Sequence, residues 1–225
     1  MKAMVMAAGR GERLRPLTDT LPKPLAPVAG KPLMGYHLHA LAKAGIREVV
    51  INLSWLGDRI KAALGDGRDY GVRILYSEEG PVPLETGGGI FNALPLLGMQ
   101  PFLVVNADVW TDIDFGRVVL DDAADASIVL VPNPAHNPRG DFALEGDAVM
   151  EREVTHESYT YSGVGIYRPE FFAGCSPGKF PLLPLLRRAI AAQRLRGWVH
   201  RGEWFDIGSI ERLAALDQRV RSTVG

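Results

Sequence analysis

Short apolar runs alternate with amphipathic segments along the first half of the chain. The apolar runs are rich in β-branched residues, and they predict strands at residues 3–6, 48–53, 72–76, 102–105 and 127–131. Between these runs, apolar residues recur at helical spacing and predict helices over residues 34–45, 55–64 and 86–97. Apolar strands that alternate with helices are typical of a parallel sheet with helices packed on both faces.

The pattern changes after about Pro132. Residues 142–144, 149–154 and 163–167 are shorter and more polar runs, which predict antiparallel strands laid beside the main sheet. A helix is expected over residues 182–193, and Ser209 is a candidate N-cap for a last helix. The expected core-facing residues of that helix are Ile210, Leu213, Leu216 and Val220. We therefore expect one α/β domain over residues 1–225, with a core at 1–132 and a smaller antiparallel subregion and closing helix at 133–225.

Composition and charge exclude several classes of protein. Lysine and arginine total 25 while aspartate and glutamate total 26, so the chain has no global charge bias and no nucleic-acid partner is expected. The single cysteine, Cys175, excludes a disulfide framework and a cysteine-rich zinc site. No segment approaches the ~20 apolar residues of a membrane span, so we expect a cytoplasmic protein without a membrane partner.

A long loop follows the first predicted strand and concentrates glycine, proline and positive charge. Small residues in it would let backbone N–H groups approach phosphate oxygens, and they are Ala7, Ala8, Gly9 and Gly11. Arg13 and Lys23 supply the cations that a triphosphate needs. A dinucleotide-binding fingerprint would need glycine in place of Leu14, and no G-K-[ST] of a P-loop occurs. Ligands of open α/β sheets bind beyond the carboxyl ends of strands, so this loop predicts a local polyphosphate site.

The segment AAGRGERLRPLTDTLPKPLAPVAGKPL resembles the signature of sugar-1-phosphate nucleotidyltransferases, G-x-G-x-R-L-x-P-L-T followed by P-K-P-L. This family transfers a nucleotidyl group from a nucleoside triphosphate to a sugar 1-phosphate and releases pyrophosphate. The resemblance implies an α/β fold of Rossmann-like (GT-A-like) type, with a mostly parallel central sheet and a small antiparallel sugar-binding subregion. It also implies that Gly9, Gly11 and Arg13 hold the triphosphate, that Glu12 is a nucleotide contact, and that Lys23 bridges the α-phosphate and the sugar phosphate. Arg13 and Lys23 are therefore the expected catalytic residues.

Two aspartates stand where the family places its metal ligands. Asp108 ends the apolar strand of FLVVNAD, and Asp206 lies in WFDIGS just before the last predicted helix. The two segments resemble the family motifs N-x-D and W-x-D-x-G-[ST], which implies that Asp108 and Asp206 coordinate Mg²⁺. A hard cation held by one or two carboxylates and by substrate phosphates fits this assignment. The nearby Asp112 and Asp114 are expected to serve in turns and caps, although a metal motif from Asp108 to Asp112 is an alternative. All five histidines are expected to be structural or surface residues.

The resemblance places base recognition after the third strand, in EEG and LETGGGI. It implies nucleotide contacts at Glu79, Thr86 and Gly88, although glycines at a helix start can also serve close packing alone. Glu79 departs from the glutamine that many uridylyl- and thymidylyltransferases carry. On the sugar side, position in the chain makes Asn106, Gly140, Glu153, Ser162 and Gly163 the candidate contacts. The Glu-Lys-Pro tripeptide of many relatives is absent, and Arg152 and Arg201 are the alternatives for its lysine.

Compact size, LETGGGI and TYSGVGIY resemble the family members that recycle bacterial cell-wall sugars. This likeness implies UTP and N-acetylmuramate 1-phosphate as substrates and a monomer or small homo-oligomer. The alternatives are a mannose- or heptose-1-phosphate guanylyltransferase, a metal-dependent glycosyltransferase and an inactive sugar-nucleotide sensor. A glycosyltransferase has little use for Arg13 and Lys23 at a triphosphate, and a sensor does not need both cations together with both aspartates.

Overall fold

The computed structural model describes residues 1–153 and 157–224. The strands within these ranges are β1 Ala3–Met6, β2 Pro27–Val28, β3 Lys31–Pro32, β4 Glu48–Leu53, β5 Arg73–Glu78, β6 Phe102–Asn106, β7 Val109–Thr111, β8 Ala126–Val131, β9 Phe142–Glu145, β10 Ala148–Glu151, β11 Ser158–Tyr167, β12 Leu195–Val199 and β13 Trp204–Asp206. The α-helices are α1 Leu33–Lys43, α2 Gly57–Leu64, α3 Glu85–Leu97, α4 Leu183–Ala191 and α5 Ile210–Val224. The end of the run predicted at 149–154 lies outside the described residues.

The first half of the chain forms the parallel part of a nine-stranded sheet with the order β5-β4-β1-β6-β11-β8-β12-β10-β9. Strands β5, β4, β1 and β6 all pair in parallel, as the apolar runs predict. Successive side chains of β1 enter opposite layers of the core: Ala3 and Val5 pack with α1 and α2, whereas Met4 packs with α3. The expectation of a sheet covered on both faces is therefore confirmed.

The second half of the chain differs from the expected ribbons beside the main sheet. Strand β11 pairs antiparallel with β6 and with β8, so the later strands continue the same sheet. Strand β12 pairs in parallel with β8, and β10 and β9 extend the far edge by antiparallel pairing. The reason is that β11 is ten residues long and almost wholly buried, so it needs hydrogen-bonded neighbours on both sides. The apolar interior is thus shared between the two halves.

Helix α5 packs on the glycine- and proline-rich loop rather than on the sheet. Its buried residues Leu213, Leu216 and Val220 contact a separate cluster that includes Leu14 from the loop. The backbone N–H of Ala29 donates to the Asp217 carboxylate of α5 at 2.7 Å. Ser209 caps α5 as expected, since its Oγ accepts from the backbone N–H of Arg212 at 3.3 Å. The helix therefore holds the loop in place.

One expected core residue of α5 is on the surface. Ile210 is 42% exposed: it is the first residue of α5, and the apolar cluster that α5 joins contains Leu213, Leu216 and Val220 from the later turns. No helix of the described residues combines the length and the apolar composition needed to cross a membrane.

Candidate active site

A cavity of about 410 Å³ opens at the carboxyl ends of β1, β4, β5 and β6. The loop after β1 forms one wall, the residues after β6 form the floor, and the segment between β5 and α3 forms the opposite wall. Eight of the nine predicted nucleotide contacts line it, and they are Ala7, Ala8, Gly9, Gly11, Glu12, Arg13, Glu79 and Thr86. Lys23, Asn106 and Asp108 line it as well. The sequence therefore predicts most of this wall.

The glycine-rich loop is held by contacts from outside the cavity. The Thr18 hydroxyl donates to the carbonyl oxygen of Gly11 at 2.8 Å, and the Trp55 indole N–H donates to the carbonyl oxygen of Thr18 at 3.0 Å. The guanidinium of Arg10 lies 4.5 Å from the centre of the Trp55 ring, a cation–π distance. These contacts hold the loop in one conformation without a ligand, so less conformational entropy is lost when a ligand binds.

Lys23 and Asp108 form the charged centre of the cavity. Lys23 Nζ lies 2.8 Å from Asp108 Oδ2, and the lysine side chain is 8% exposed whereas the aspartate is 40% exposed. A buried ammonium needs a partner because its desolvation is otherwise costly. The pair therefore presents one buried cation and one accessible carboxylate at the place where phosphates are expected.

Asp206 lies beside Asp108, although it does not line the cavity. Strand β13 pairs with β7 so that Asp206 is opposite Val109, and the backbone N–H of Ile207 donates to the carbonyl oxygen of Asp108 at 2.9 Å. Asp206 Oδ2 accepts from Arg212 at 2.7 Å and lies 3.1 Å from His136 Nε2. Sequence reasoning missed Arg212, and it placed His136 among the structural or surface histidines. His136 lies 70 positions before Asp206, so no local spacing marks that contact, and Arg212, six residues after Asp206, belongs to the polar face of α5.

The two aspartates have a chemistry that suits a hard divalent cation. In each, Oδ2 is paired with a cationic side chain, while no residue that the structure describes donates to Oδ1 of Asp108 or Asp206. The described residues contain no group of three or more histidine, cysteine, aspartate or glutamate side chains that could hold a metal by themselves. Two carboxylates completed by substrate phosphates and water are a common arrangement for Mg²⁺.

Of the two neighbouring aspartates, Asp114 has the capping role expected of it, whereas Asp112 contacts a segment far along the chain. Asp114 accepts from the backbone N–H of Gly116 at 3.0 Å and starts a 3₁₀ turn. Asp112 accepts from the backbone N–H of Glu203 at 2.8 Å and lies 2.6 Å from His200 Nε2. Both carboxylates thus have partners within the protein, Asp114 in its own turn and Asp112 in the segment between β12 and β13.

Asn52 is a site residue that sequence reasoning missed. It is 1% exposed in the apolar strand β4, where its amide oxygen accepts from the backbone N–H of Ala7 at 2.7 Å. Its amide N–H donates to Glu79 Oε1 at 2.6 Å, and Glu79 Oε2 accepts from the backbone N–H of Leu84 at 2.7 Å. Glu79 thus fixes the cavity wall between β5 and α3, with both of its carboxylate oxygens engaged. A lone polar residue in an otherwise apolar strand was the available signal.

Gly88 lies behind the cavity wall instead of in it. Its backbone N–H donates to the carbonyl oxygen of Phe180 at 3.0 Å. A Cβ at this position would lie 2.2 Å from the carbonyl oxygen of Gly178. The need for glycine is therefore explained by the close approach of residues 178–180 to α3.

The neighbouring Glu85 does line the cavity, with a φ of 61° that is rare for residues other than glycine.

A second cavity of about 530 Å³ adjoins the first, and Thr86 and Asn106 line both. Of the predicted sugar contacts, Asn106 and Gly140 are in its wall, while Glu153, Ser162 and Gly163 are not. The buried Ser162 hydroxyl instead donates to the carbonyl oxygen of Val129 at 2.7 Å. Gly163 has a φ of 81°, and a Cβ there would lie 2.8 Å from the Asn106 amide nitrogen. These two residues therefore shape the bulge in β11 that supports Asn106.

The structure distinguishes the two arginines left open by the sequence. Arg152 lines the second cavity, whereas Arg201 does not. Arg187, on α4, also lines the cavity and was not predicted. Sequence periodicity of α4 gave no signal, because Arg187 belongs to an ordinary polar helix face.

Comparisons with known proteins agree with this geometry. The family model "Nucleotidyl transferase" matches residues 2–142. An N-acetylmuramate alpha-1-phosphate uridylyltransferase of Neisseria meningitidis serogroup B is 55% identical over 95% of this chain and 95% of its own. A protein of the same name from Caulobacter vibrioides is 35% identical over 97% of this chain and 96% of its own. A solved structure described as a glucose-1-phosphate thymidylyltransferase from Bacillus anthracis has a TM-score of 0.84 at 18% identity, covering 98% of this chain and 95% of that one. That likeness confirms the Rossmann-like α/β fold.

Proposed function

Because the chain belongs to the nucleotidyl transferase family, we propose that it transfers a uridylyl group from UTP to N-acetylmuramate 1-phosphate. The products are UDP-N-acetylmuramate and pyrophosphate. Support for the family chemistry comes from the paired cavities, and support for this substrate pair comes from the 55% identity to the Neisseria enzyme of that name. Residues 1–132 are then the nucleotide-binding core and residues 133–225 the sugar-binding subregion.

The observation that carries the proposal is the junction between the two cavities. A nucleotide in the first cavity and a sugar phosphate in the second would meet at Thr86 and Asn106, within the wall that also contains Lys23. A phosphate oxygen of the sugar attacks the α-phosphorus of UTP in line. One P–O bond forms, the bond to the β-phosphate breaks, and pyrophosphate leaves with the electron pair.

No side chain has to act as a nucleophile, because the sugar phosphate is already an anion. Catalysis then depends on positioning and on stabilising charge in the transition state. We assign Lys23 to the oxygens shared by the two reacting phosphates and Arg13 to the leaving pyrophosphate. Backbone N–H groups of the loop at Ala8 and Gly9 bind phosphate oxygens, since both residues line the cavity and are too small to obstruct it.

We propose Mg²⁺ as the cofactor, held by Asp108 and Asp206. The carboxylate oxygens left without donors among the described residues are the atoms that would bind it. When bound, the ion would neutralise charge on the phosphates during transfer. On the sugar side, Arg152 is the proposed cation for the sugar phosphate, because it lines the second cavity and Arg201 does not.

Pyrophosphate release tests the proposal. Purified protein with Mg²⁺ is supplied with UTP, TTP or GTP, each combined with N-acetylmuramate, N-acetylglucosamine, glucose or mannose 1-phosphate. UTP with N-acetylmuramate 1-phosphate is expected to give the highest kcat/KM. GTP with mannose 1-phosphate as the best pair would establish the guanylyltransferase alternative, and no turnover with any pair would refute nucleotidyl transfer.

A further inference from the structure

The part of the second cavity's wall that α4 forms combines apolar surface with one guanidinium group. Leu183 and Leu186 line the cavity together with Arg187. Leu183 is 42% exposed, so an apolar side chain is left uncovered on this wall. A ligand that fits such a wall has a small apolar group next to an anion.

Most of the hydrogen-bonding capacity of Arg187 is available to a ligand. Its Nε lies 3.1 Å from Glu151 Oε1, and its side chain is 59% exposed. A guanidinium carries five N–H groups, and Glu151 is the one ion-pair partner of Arg187 within the described residues. The two terminal nitrogens can therefore form the bidentate contact that guanidinium groups make with carboxylates.

The acidic residues of this cavity are already engaged. Asp141 Oδ1 accepts from the side-chain amide of Asn137 at 3.0 Å, and Asp141 Oδ2 accepts from the backbone N–H of Tyr161 at 2.8 Å. Glu151 is paired with Arg187 itself. The cavity thus presents to a ligand two guanidinium groups from the described residues, Arg152 and Arg187, with its carboxylates partly neutralised.

A sugar 1-phosphate brings one anionic group, for which Arg152 is the proposed partner. N-Acetylmuramate carries a second one, the carboxylate of its lactyl ether, next to a methyl group. This combination matches the guanidinium and leucine surface of α4. We infer that Arg187 binds the lactyl carboxylate and selects N-acetylmuramate 1-phosphate over sugar 1-phosphates that lack it. The inference rests on the proposed function and adds the residue that determines sugar specificity.

Two substrates that differ only by the lactyl group give the sharpest test. N-Acetylmuramate 1-phosphate and N-acetylglucosamine 1-phosphate are compared at saturating UTP for the wild type, Arg187→Gln and Arg187→Lys. In Arg187→Gln, kcat/KM for the muramate substrate is expected to fall about 10- to 100-fold, as for the loss of hydrogen bonds to a charged group. The value for N-acetylglucosamine 1-phosphate and the KM for UTP are expected to stay within about twofold. Arg187→Lys keeps the positive charge but cannot form the bidentate contact. Its kcat/KM for the muramate substrate should therefore lie between the values for the wild type and Arg187→Gln.

Arg194→Gln is the matched control, because Arg194 is also a half-exposed arginine paired with one carboxylate, that of Asp125, but lies outside the cavity wall. It should change neither substrate's kcat/KM.

Equal losses for both substrates in Arg187→Gln, or no loss for either, would overturn the inference while leaving uridylyl transfer intact. Wild-type protein that turns over neither substrate with UTP would refute the proposed function itself. In that case calorimetry still tests Arg187, since only the muramate compound should bind more weakly to Arg187→Gln, and equal binding to both proteins overturns the inference.

Discussion

Acid destabilisation is expected from His37, which supports the turn after Asp108. His37 lies in α1, is 3% exposed, and its Nε2 lies 2.7 Å from the carbonyl oxygen of Val109. Because a carbonyl oxygen only accepts, Nε2 carries the proton in the folded protein and donates it. Burial lowers the pKa of His37 from 6.5 to about 4, against smaller upward effects of the Val109 hydrogen bond and the Asp108 charge.

The size and sign of the effect follow from this difference in pKa. Between pH 6.5 and pH 4 the unfolded chain binds a proton at His37 that the folded chain does not, so the free energy of unfolding falls as the pH falls. With these two pKa values, the contribution of His37 to the free energy of unfolding falls, relative to pH 7, by about 2 kcal/mol at pH 5 and by about 3 kcal/mol at pH 4. A loss of this size is a large part of the 5–15 kcal/mol that typically stabilises a domain.

Urea denaturation at pH 7 and pH 5 measures this loss. Other histidines and carboxylates also titrate in this range, so the comparison is between the wild type and His37→Gln, which can still donate to Val109 but does not titrate. The variant should be less stable at pH 7 because glutamine fills the buried ring position poorly, yet its loss between pH 7 and pH 5 should be about 2 kcal/mol smaller than that of the wild type. Equal losses in the two proteins would refute the assignment of a neutral, buried imidazole.

Three further predictions concern the cavity and its support. Lys23→Ala and Asp108→Asn should each lower kcat for pyrophosphate release about 100-fold, as loss of a key electrostatic group does, and near-wild-type turnover in either would remove that residue from the mechanism. Asn52→Leu should lower the free energy of unfolding in urea by about 3 kcal/mol, because it leaves the buried N–H of Ala7 unpaired; an unchanged midpoint would show that water replaces the amide. Gly88→Ala places a methyl group 2.2 Å from a backbone carbonyl oxygen and should cost about 1–3 kcal/mol by the same measurement; a cost under 0.5 kcal/mol would contradict close packing as the reason for glycine.

The loop after β1 and the parallel strands could be predicted because each is marked by a short, continuous stretch of sequence. Arg13 and Lys23 stand in the two motifs that resemble the family signature, G-x-G-x-R-L-x-P-L-T and P-K-P-L, and the structure brings both to one cavity with Gly9 and Gly11. Asp108 is equally accessible to sequence reasoning, since a carboxylate that ends an apolar strand must lie at the carboxyl edge of a parallel sheet. The resemblance added the role of each residue, and family membership supports it.

The supporting contacts could not be predicted, because they join residues far apart in the chain. Asn52 reaches Ala7 and Glu79 across 45 and 27 positions, and Arg187 meets Glu151 only because α4 packs beside β10. The continuous sheet was missed for a related reason. Pairing of β11 with both β6 and β8 depends on tertiary packing, while a single strand's polarity shows only whether each of its faces is buried.

Two ion pairs hold the charged side chains of the candidate site in place. Lys23 is paired with Asp108, and Arg212 is paired with Asp206, at 2.8 Å and 2.7 Å. A Cβ on Gly208 would lie 2.6 Å from Arg212, 3.1 Å from Arg13 and 3.2 Å from Asp206, so the glycine leaves room for these three side chains. In the proposed reaction, phosphate oxygens that reach Lys23 or Arg212 would replace a carboxylate as the anionic partner of that cation. Binding then requires little new ordering of side chains, which favours positioned catalysis.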